Sequence, residues 1–392
     1  MKNAPPRRIW EFAAAHLVTD IYSPVIPAVL PLLIANNGYS YLLAGLLVTV
    51  YNLTSSMTQP FIGWLFDRRG RGIHVSYALL LSGVFIGLIG VVTSYPLLVA
   101  CAMLAALGHA AFHPSALGSV GGLCTDENRG RTMSFFVTGG NLGYALGPLL
   151  AGIVVAAFGI HGLVVMMLPA LAMAAVLRYA YPLDRGACIP KIADDNRPGM
   201  DRAAILSIGI LVLGAAFRAW AIFASIAYLP AYLVGRGYDL APANFLISLM
   251  LLSGVAGQIA GGILSDRYGR KEVTILGMLG AIPAFILFML TEGMLSLSIL
   301  MIFGFLLWSS FSITVAIAQE LMPRSIGLAS GLTLGLAVGG GGIGVAITGA
   351  LADSFALDIA LFTLAVPVAV SILLFMVLPY PWRIVPRRRA LD

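Results

Sequence analysis

Charge is what this chain has least of. Only 10% of its 392 residues are charged, against roughly 25% in an ordinary soluble protein. So few charges cannot cover the surface of a water-soluble globule, and 59% hydrophobic residues are too many for a disordered chain. Cysteine is scarce: Cys101, Cys124 and Cys188 are the three present, without disulfide or metal spacing. No GxxxxGK[S/T] phosphate loop occurs, and no nucleophile–base pattern or cofactor motif. ATP-driven chemistry and enzymatic catalysis are therefore not expected, nor is any cofactor. Alternation of apolar and polar residues, the mark of a transmembrane barrel, is also missing; Val75–Val92 and Ile359–Leu378 are apolar on all sides. A cleavable signal peptide is not expected either, because the first hydrophobic segment is long and carries Asp20.

What is present is apolar length. A bilayer-spanning helix uses about 20 mostly apolar residues. Apolar runs set against loop signals predict twelve helices, at 9–34, 40–66, 73–93, 96–122, 130–158, 160–181, 203–233, 241–265, 272–291, 295–321, 325–352 and 357–379. The longest polar stretch, 182–202, falls at the midpoint. It predicts an N-terminal six-helix bundle over 1–181, a cytoplasmic linker over 182–202, and a C-terminal bundle with a short basic tail over 203–392. The fold class expected is all-α, a polytopic membrane protein of two pseudo-symmetric bundles.

Orientation follows from Lys and Arg. With both termini inside, 21 of the 23 basic residues fall on the cytoplasmic side; Arg236 lies outside and Arg218 within helix 7. The formal charge of +6 then reflects anionic inner-leaflet lipid, not nucleic acid. The expected location is the inner membrane, as a multi-pass monomer.

Two loops repeat. Gln59-Pro60-Phe61-Ile62-Gly63-Trp64-Leu65-Phe66-Asp67-Arg68-Arg69-Gly70-Arg71 matches Gln258-Ile259-Ala260-Gly261-Gly262-Ile263-Leu264-Ser265-Asp266-Arg267-Tyr268-Gly269-Arg270 at a constant offset of 199. Each copy lies between the second and third helix of its half. Parallel repeats of this kind place a substrate path along their shared axis. The pattern Gly63-x-x-x-Asp67-Arg68-x-Gly70-Arg71 resembles the signature loop of the major facilitator superfamily. Physically, Gly63 is expected to allow close helix approach. Asp67 suits the N-terminus of helix 11, near Ser325. Arg71 suits Asp126 or Glu127. With Asp266, Arg267 and Arg270 of the second copy, these residues form a candidate cytoplasmic gate.

Helix 5 carries Gly143, Gly147 and Pro148, and this resembles the Gly-x-x-x-Gly-Pro motif of superfamily antiporters. Helix 11 echoes it with Gly335, Gly339–Gly342 and Gly344. Both helices are expected to be pliable, with Gly143, Gly147 and Pro148 as a hinge.

Ionisable groups at bilayer depth are costly and usually functional. Helix 1 carries His16 and Asp20 one turn apart, and Asp20 sits near the midplane. Helix 4 carries His109 and His113, again one turn apart. Imidazoles suit a proton relay. A metal site is not expected, because no third ligand follows either pair. Arg218 must face a carboxylate, an anionic ligand or water; Asp20 and a phosphonate or carboxylate solute are both open as its partner. The resemblance implies that helices 1, 4 and 7 line a cavity, and Asn52, Asn141, Gln258 and Trp308 are further candidates for substrate contact.

His16-x-x-x-Asp20, Gln59-Pro60, Phe112-His113-Pro114 and Gly139-Gly140-Asn141-x-Gly143-x-x-x-Gly147-Pro148 resemble the fosmidomycin-resistance branch of drug exporters. Two places depart from the wider pattern. Ala102 and Ala105 stand where many superfamily antiporters carry an Arg-x-x-Gln-Gly motif, and Ser115 stands where an acid can follow His-Pro. The resemblance implies a proton-coupled drug-resistance antiporter exporting a small drug-like or anionic solute, with a proton symporter or facilitator importing an organic anion as the alternative. Its partners would be a small-molecule substrate, protons and membrane lipid.

Overall fold

The computed structural model describes residues 7–69, 73–121, 129–180, 202–323 and 326–382. They are helical, with no strand among them. The order is α1 (Arg7–Ile21), α2 (Val25–Asn37), α3 (Tyr41–Arg69), α4 (Val75–Leu88), α5 (Tyr95–Gly121), α6 (Arg129–Phe158), a 3-10 turn at Ile160–Met166, and α7 (Met167–Ala180). Then follow α8 (Arg202–Gly235), α9 (Leu240–Tyr268), α10 (Arg270–Leu290), α11 (Gly293–Trp308), α12 (Phe311–Leu321) and α13 (Ile326–Gly331). A π turn at Leu332–Leu336, α14 (Ala337–Phe355), α15 (Leu357–Phe362) and α16 (Ala365–Val377) complete the chain.

Ten of these stretches are long and apolar enough to cross a membrane, and Val75–Leu88 is a shorter apolar helix. α3, at 29 residues, accounts for the remaining expected span. The twelve expected helices are all present, with ends shifted by a few residues. The expected linker lies outside the described residues except for Arg202, which opens α8.

The first span is broken at Tyr22–Pro24 for a local reason. Pro24 has no N–H to donate to the carbonyl of Asp20. That carbonyl instead accepts from Ser23 N–H at 3.3 Å, a tighter turn, before α2 begins. Asp20 thus sits at the opened end of α1. The tenth span is broken likewise at Ser309–Ser310, between α11 and α12.

Within the first half, α1 packs on α6, α3 on α5, and α4 on α5 and α7. Across the halves, α3 packs on α14, α6 on α9 and α2 on α8. These pairs are symmetric: α3 and α9 carry the two repeated loops, and each lies against the glycine-rich helix of the other half.

The cross-half hydrogen bonds gather toward one end of the bundle, the end of the loops Gly38–Ser40, Arg236–Asp239 and Ala356. There Asp353 accepts from the backbone N–H of Tyr41 and Leu42, at 2.7 and 2.9 Å. Tyr228 donates to the Tyr41 carbonyl at 3.0 Å, and Asn244 to the Ala28 carbonyl at 3.0 Å. Leu149 N–H donates to Ser248 Oγ at 2.9 Å, and Thr49 to the Gly342 carbonyl at 2.8 Å.

Candidate functional site

The ionisable groups of α1 and α5 converge. His16 Nε2 lies 3.1 Å from Asp20 Oδ2. His113 Nε2 and His109 Nδ1 lie 3.7 and 3.9 Å from the other carboxylate oxygen, Oδ1. The two α5 imidazoles meet through their Nε2 atoms at 3.1 Å. Their side chains are nearly enclosed, from 9% to 17% exposed. Asp20 Oδ1 is buried and has no hydrogen-bond partner among the described residues.

Donor and acceptor bookkeeping fixes much of the proton arrangement. His16 Nδ1 lies 2.8 Å from the Phe136 carbonyl. A carbonyl only accepts, so Nδ1 carries the hydrogen and Nε2 faces Asp20. A neutral imidazole nitrogen and an ionised carboxylate would set two lone pairs 3.1 Å apart, so this contact needs one proton. The His109–His113 contact needs one as well. The chain continues from His109 Nδ1 to Ser23 Oγ at 3.3 Å and on to the Tyr51 hydroxyl at 3.1 Å. The imidazoles of α5, Ser23 and Tyr51 thus form one hydrogen-bonding path to α3, and the His16–Asp20 pair lies beside it at 3.7 and 3.9 Å. Ser23 and Tyr51 are members that sequence reasoning missed. The Ser23-Pro24 pair one turn after Asp20 was the available signal.

Gly140 makes room for this pair. A Cβ there would lie 2.4 Å from His16 Nε2 and 2.6 Å from Asp20 Oδ2. Gly139, Gly143 and Gly147 are packed differently, each against a backbone carbonyl of α1, those of Ala13, Leu17 and Ile21. The expected helix-5 hinge residues Gly143 and Gly147 therefore hold α6 tightly against α1 of the same half. Pro148 lies inside α6, which continues unbroken to Phe158.

Arg218 does not pair with Asp20. Its Nη1 donates to Ser310 Oγ at 2.9 Å and its Nη2 to Thr314 Oγ1 at 3.3 Å. The guanidinium lies 5.5 Å from the ring centre of Phe311. It is 3% exposed, has no carboxylate within ion-pair distance among the described residues, and its Nε is buried without a partner. The cross-half ion pair is absent because the hydroxyls at the α11–α12 break lie in its own half and reach it first.

The two clusters occupy related places in the repeat. Arg218 stands 198 residues after Asp20, and Ser310 and Thr314 stand 201 after His109 and His113. An acid with imidazoles in one half answers a guanidinium with hydroxyls in the other. Between them, Tyr144 of α6 meets Trp308 of α11 at 6.0 Å between ring centres, and Trp308 stacks on Phe311 at 5.4 Å. Tyr144 was also missed from sequence.

Of the other candidates, Asn52 packs at the α3–α14 contact, where a Cβ on Gly342 would lie 2.8 Å from its own Cβ. Its Nδ2 and the Oε1 of Gln258 are buried without partners among the described residues. Asn141 is half-buried on α6. Gly63 corrects an expectation: a Cβ there would only touch Pro114 at 4.0 Å, so no close approach requires glycine. The tight residue of the repeat is Gly261, whose Cβ would lie 2.0 Å from the Ser309 carbonyl.

At the loop ends, Asp67 and Arg68 close α3, and Arg68 lies over Trp64. Arg71 and Asp126 lie outside the described residues, so their pairing does too. The second copy shows an arrangement of that type. Arg270 pairs with Glu320 at 2.7 Å and with Asp266 at 3.8 Å. Tyr380 donates to Glu320 as well. Burial and that carboxylate push the Tyr380 phenol above its ordinary range. Arg267 lies over the Tyr268 ring.

Residues 12–342 match the family model described as Major Facilitator Superfamily. The chain belongs to that superfamily. This transporter is 30% identical to the Fosmidomycin resistance protein of Escherichia coli (strain K12), covering 88% of this chain and 86% of that one. It is 30% identical to the uncharacterized MFS-type transporter YfnC of Bacillus subtilis (strain 168), over 92% and 90%. It is 23% identical to the sialic acid transporter NanX of Escherichia coli (strain K12), over 97% and 96%. Among solved structures it resembles a bacterial homologue of the human lysosomal transporter Spinster in an inward-facing, occupied conformation. The TM-score is 0.80 at 17% identity, covering 95% and 97%. A multi-pass transporter of this superfamily carries small molecules; its helices were legible, and so was the branch it resembles.

Proposed function

We propose that this transporter is a proton-coupled antiporter that exports a small anionic or zwitterionic solute, phosphonates included, by alternating access. The observation that carries the reading is the meeting of Asp20 with three imidazoles within 4 Å. Within that cluster Asp20 is the carboxylate able to gain and lose a proton. With its proton gone, Asp20 offers a free acceptor to hydroxyl or N–H groups of the solute. Arg218 supplies the charge for an anionic group: a buried guanidinium is expensive unless something compensates it, and two neutral hydroxyls leave most of that cost standing. The likeness to the Fosmidomycin resistance protein supports a phosphonate-type cargo.

On this reading both termini lie in the cytoplasm, and the bonded end at Asp353 is the outer face. The bundle is then inward-open, with residues 1–181 and 203–392 rocking about the 182–202 linker. Asp67, Arg68, Arg71, Asp126, Asp266, Arg267 and Arg270 would close the inner face in the other state.

A second reading, symport of an organic anion inward, draws on the likeness to a sialic acid transporter. Proteoliposomes with an imposed pH gradient separate the two. Antiport drives a labelled phosphonate out of the compartment toward the acidic side; symport drives it from the acidic side. Asp20→Asn should fold and lose pH-driven flux. Undiminished pH-driven flux in that variant would remove the assignment.

A further inference from the structure

We propose that His16, Asp20 and His113 form a binding site for a divalent transition-metal ion of the zinc class. The grounds are geometric. One nitrogen from each histidine and one oxygen of the carboxylate all lie within 4.8 Å of one another. His16 Nε2 lies 3.1 Å from one carboxylate oxygen and His113 Nε2 lies 3.7 Å from the other. A tetrahedral zinc ion, about 2.0–2.2 Å from nitrogen and oxygen donors, sets its ligands about 3.3 Å apart.

Two further observations point to a ligand. Asp20 Oδ1 is buried, has no hydrogen bond, and lies between His113 and His109. A carboxylate oxygen left in that state lacks a cation or donor. The Phe136 carbonyl holds the hydrogen of His16 on Nδ1, so the Nε2 lone pair faces the same space. A backbone carbonyl behind a ligating histidine is the usual outer support of a metal site. An ion on His113 Nε2 takes the place of the hydrogen shared with His109 Nε2, 3.1 Å away. Sequence reasoning set a metal aside for want of a third ligand. The fold supplies it from a helix about ninety residues further on.

An ion held there occupies the acid and the imidazoles together, so it competes with protons and solute for the same groups. The binding itself is independent of the transport reading and is measured without flux. The two remaining histidines provide controls. His161 lies on the Gly90 carbonyl and His74 caps α4.

The test is zinc titration of the purified full-length chain in detergent, by calorimetry or chelator competition at fixed pH. Wild type should bind one ion. Asp20→Asn, His113→Gln and His113→Ala should each weaken binding at least ten-fold, with thermal unfolding reporting that each variant is folded. His74→Ala and His161→Ala should leave the affinity unchanged. Zinc-edge X-ray absorption should show imidazole ligation that His113→Gln reduces. No binding by wild type, or equal affinity in folded Asp20→Asn and His113→Gln, would overturn the proposal.

Discussion

A single methyl group at position 140 separates packing from chemistry. In Gly140→Ala the new carbon meets the far ends of His16 and Asp20, which can swing aside. The helix survives and the pair parts. In Gly143→Ala the carbon meets the Leu17 carbonyl at 2.1 Å, and backbone cannot give. Overpacking of this kind costs roughly 1–3 kcal/mol. Gly143→Ala should therefore lower the melting temperature markedly. Gly140→Ala should change it less and cut pH-driven flux more. Thermal unfolding set beside proteoliposome flux checks the contrast; equal effects of the two variants on both readouts would count against it. Arg218 makes a second case. Arg218→Gln removes the charge and keeps a hydrogen-bonding group for Ser310 and Thr314. Affinity for an anionic solute should fall at least ten-fold, about 1.4 kcal/mol, and unchanged affinity in a binding titration would place the anion elsewhere. At this scale the sequence was informative about residue types. A buried acid, three histidines and one buried arginine stood out against an apolar background. It was silent about partners, because Asp20 and His113 are about ninety residues apart, and Ser310 and Thr314 are two hydroxyls among many.

The glycine-rich helices act at the next scale. α6 lies against α1 of its own half and α9 of the other; α14 lies against α8 and α3 in the same way. Each therefore touches both halves, so movement of the halves must pass through them. The π turn at Leu332–Leu336 interrupts the usual hydrogen-bond register just before the glycines of α14. Asp353, at the end of that helix, holds the first N–H groups of α3 in the other half, a carboxylate set against the positive end of a helix. Sequence reasoning placed an acid of this kind at the opposite end, with Asp67 against helix 11. The structure shows the same device between the same two helices at the far end. Removing the Asp353 charge should loosen that end. Spin labels at positions 39 and 357 should report a longer mean distance in Asp353→Asn than in wild type, with secondary structure unchanged. An identical distance distribution would mean the contact is incidental. The helices themselves were legible, since apolar length and loop residues mark them. Their cross-half pairing was not, because an apolar helix surface reads the same against lipid as against another helix.

At the scale of the whole molecule, six hydrogen bonds between the halves, counted among the described residues, gather toward one end. Hydrogen bonds between membrane helices are worth about 0.6 kcal/mol each, so the set amounts to a few kcal/mol. That is the size of gap that keeps two conformations exchangeable. The duplicated architecture carries different chemistry in its two halves, an acid with imidazoles in one and a guanidinium with hydroxyls in the other. The central claim is that solute and proton exchange at Asp20. It is tested most directly by counting protons when a phosphonate is added to the weakly buffered, purified transporter with a pH-sensitive dye. Antiport at this carboxylate requires wild type to release protons in step with binding, and a folded Asp20→Asn to release none. Proton uptake by wild type, or equal release from both proteins, would contradict the account.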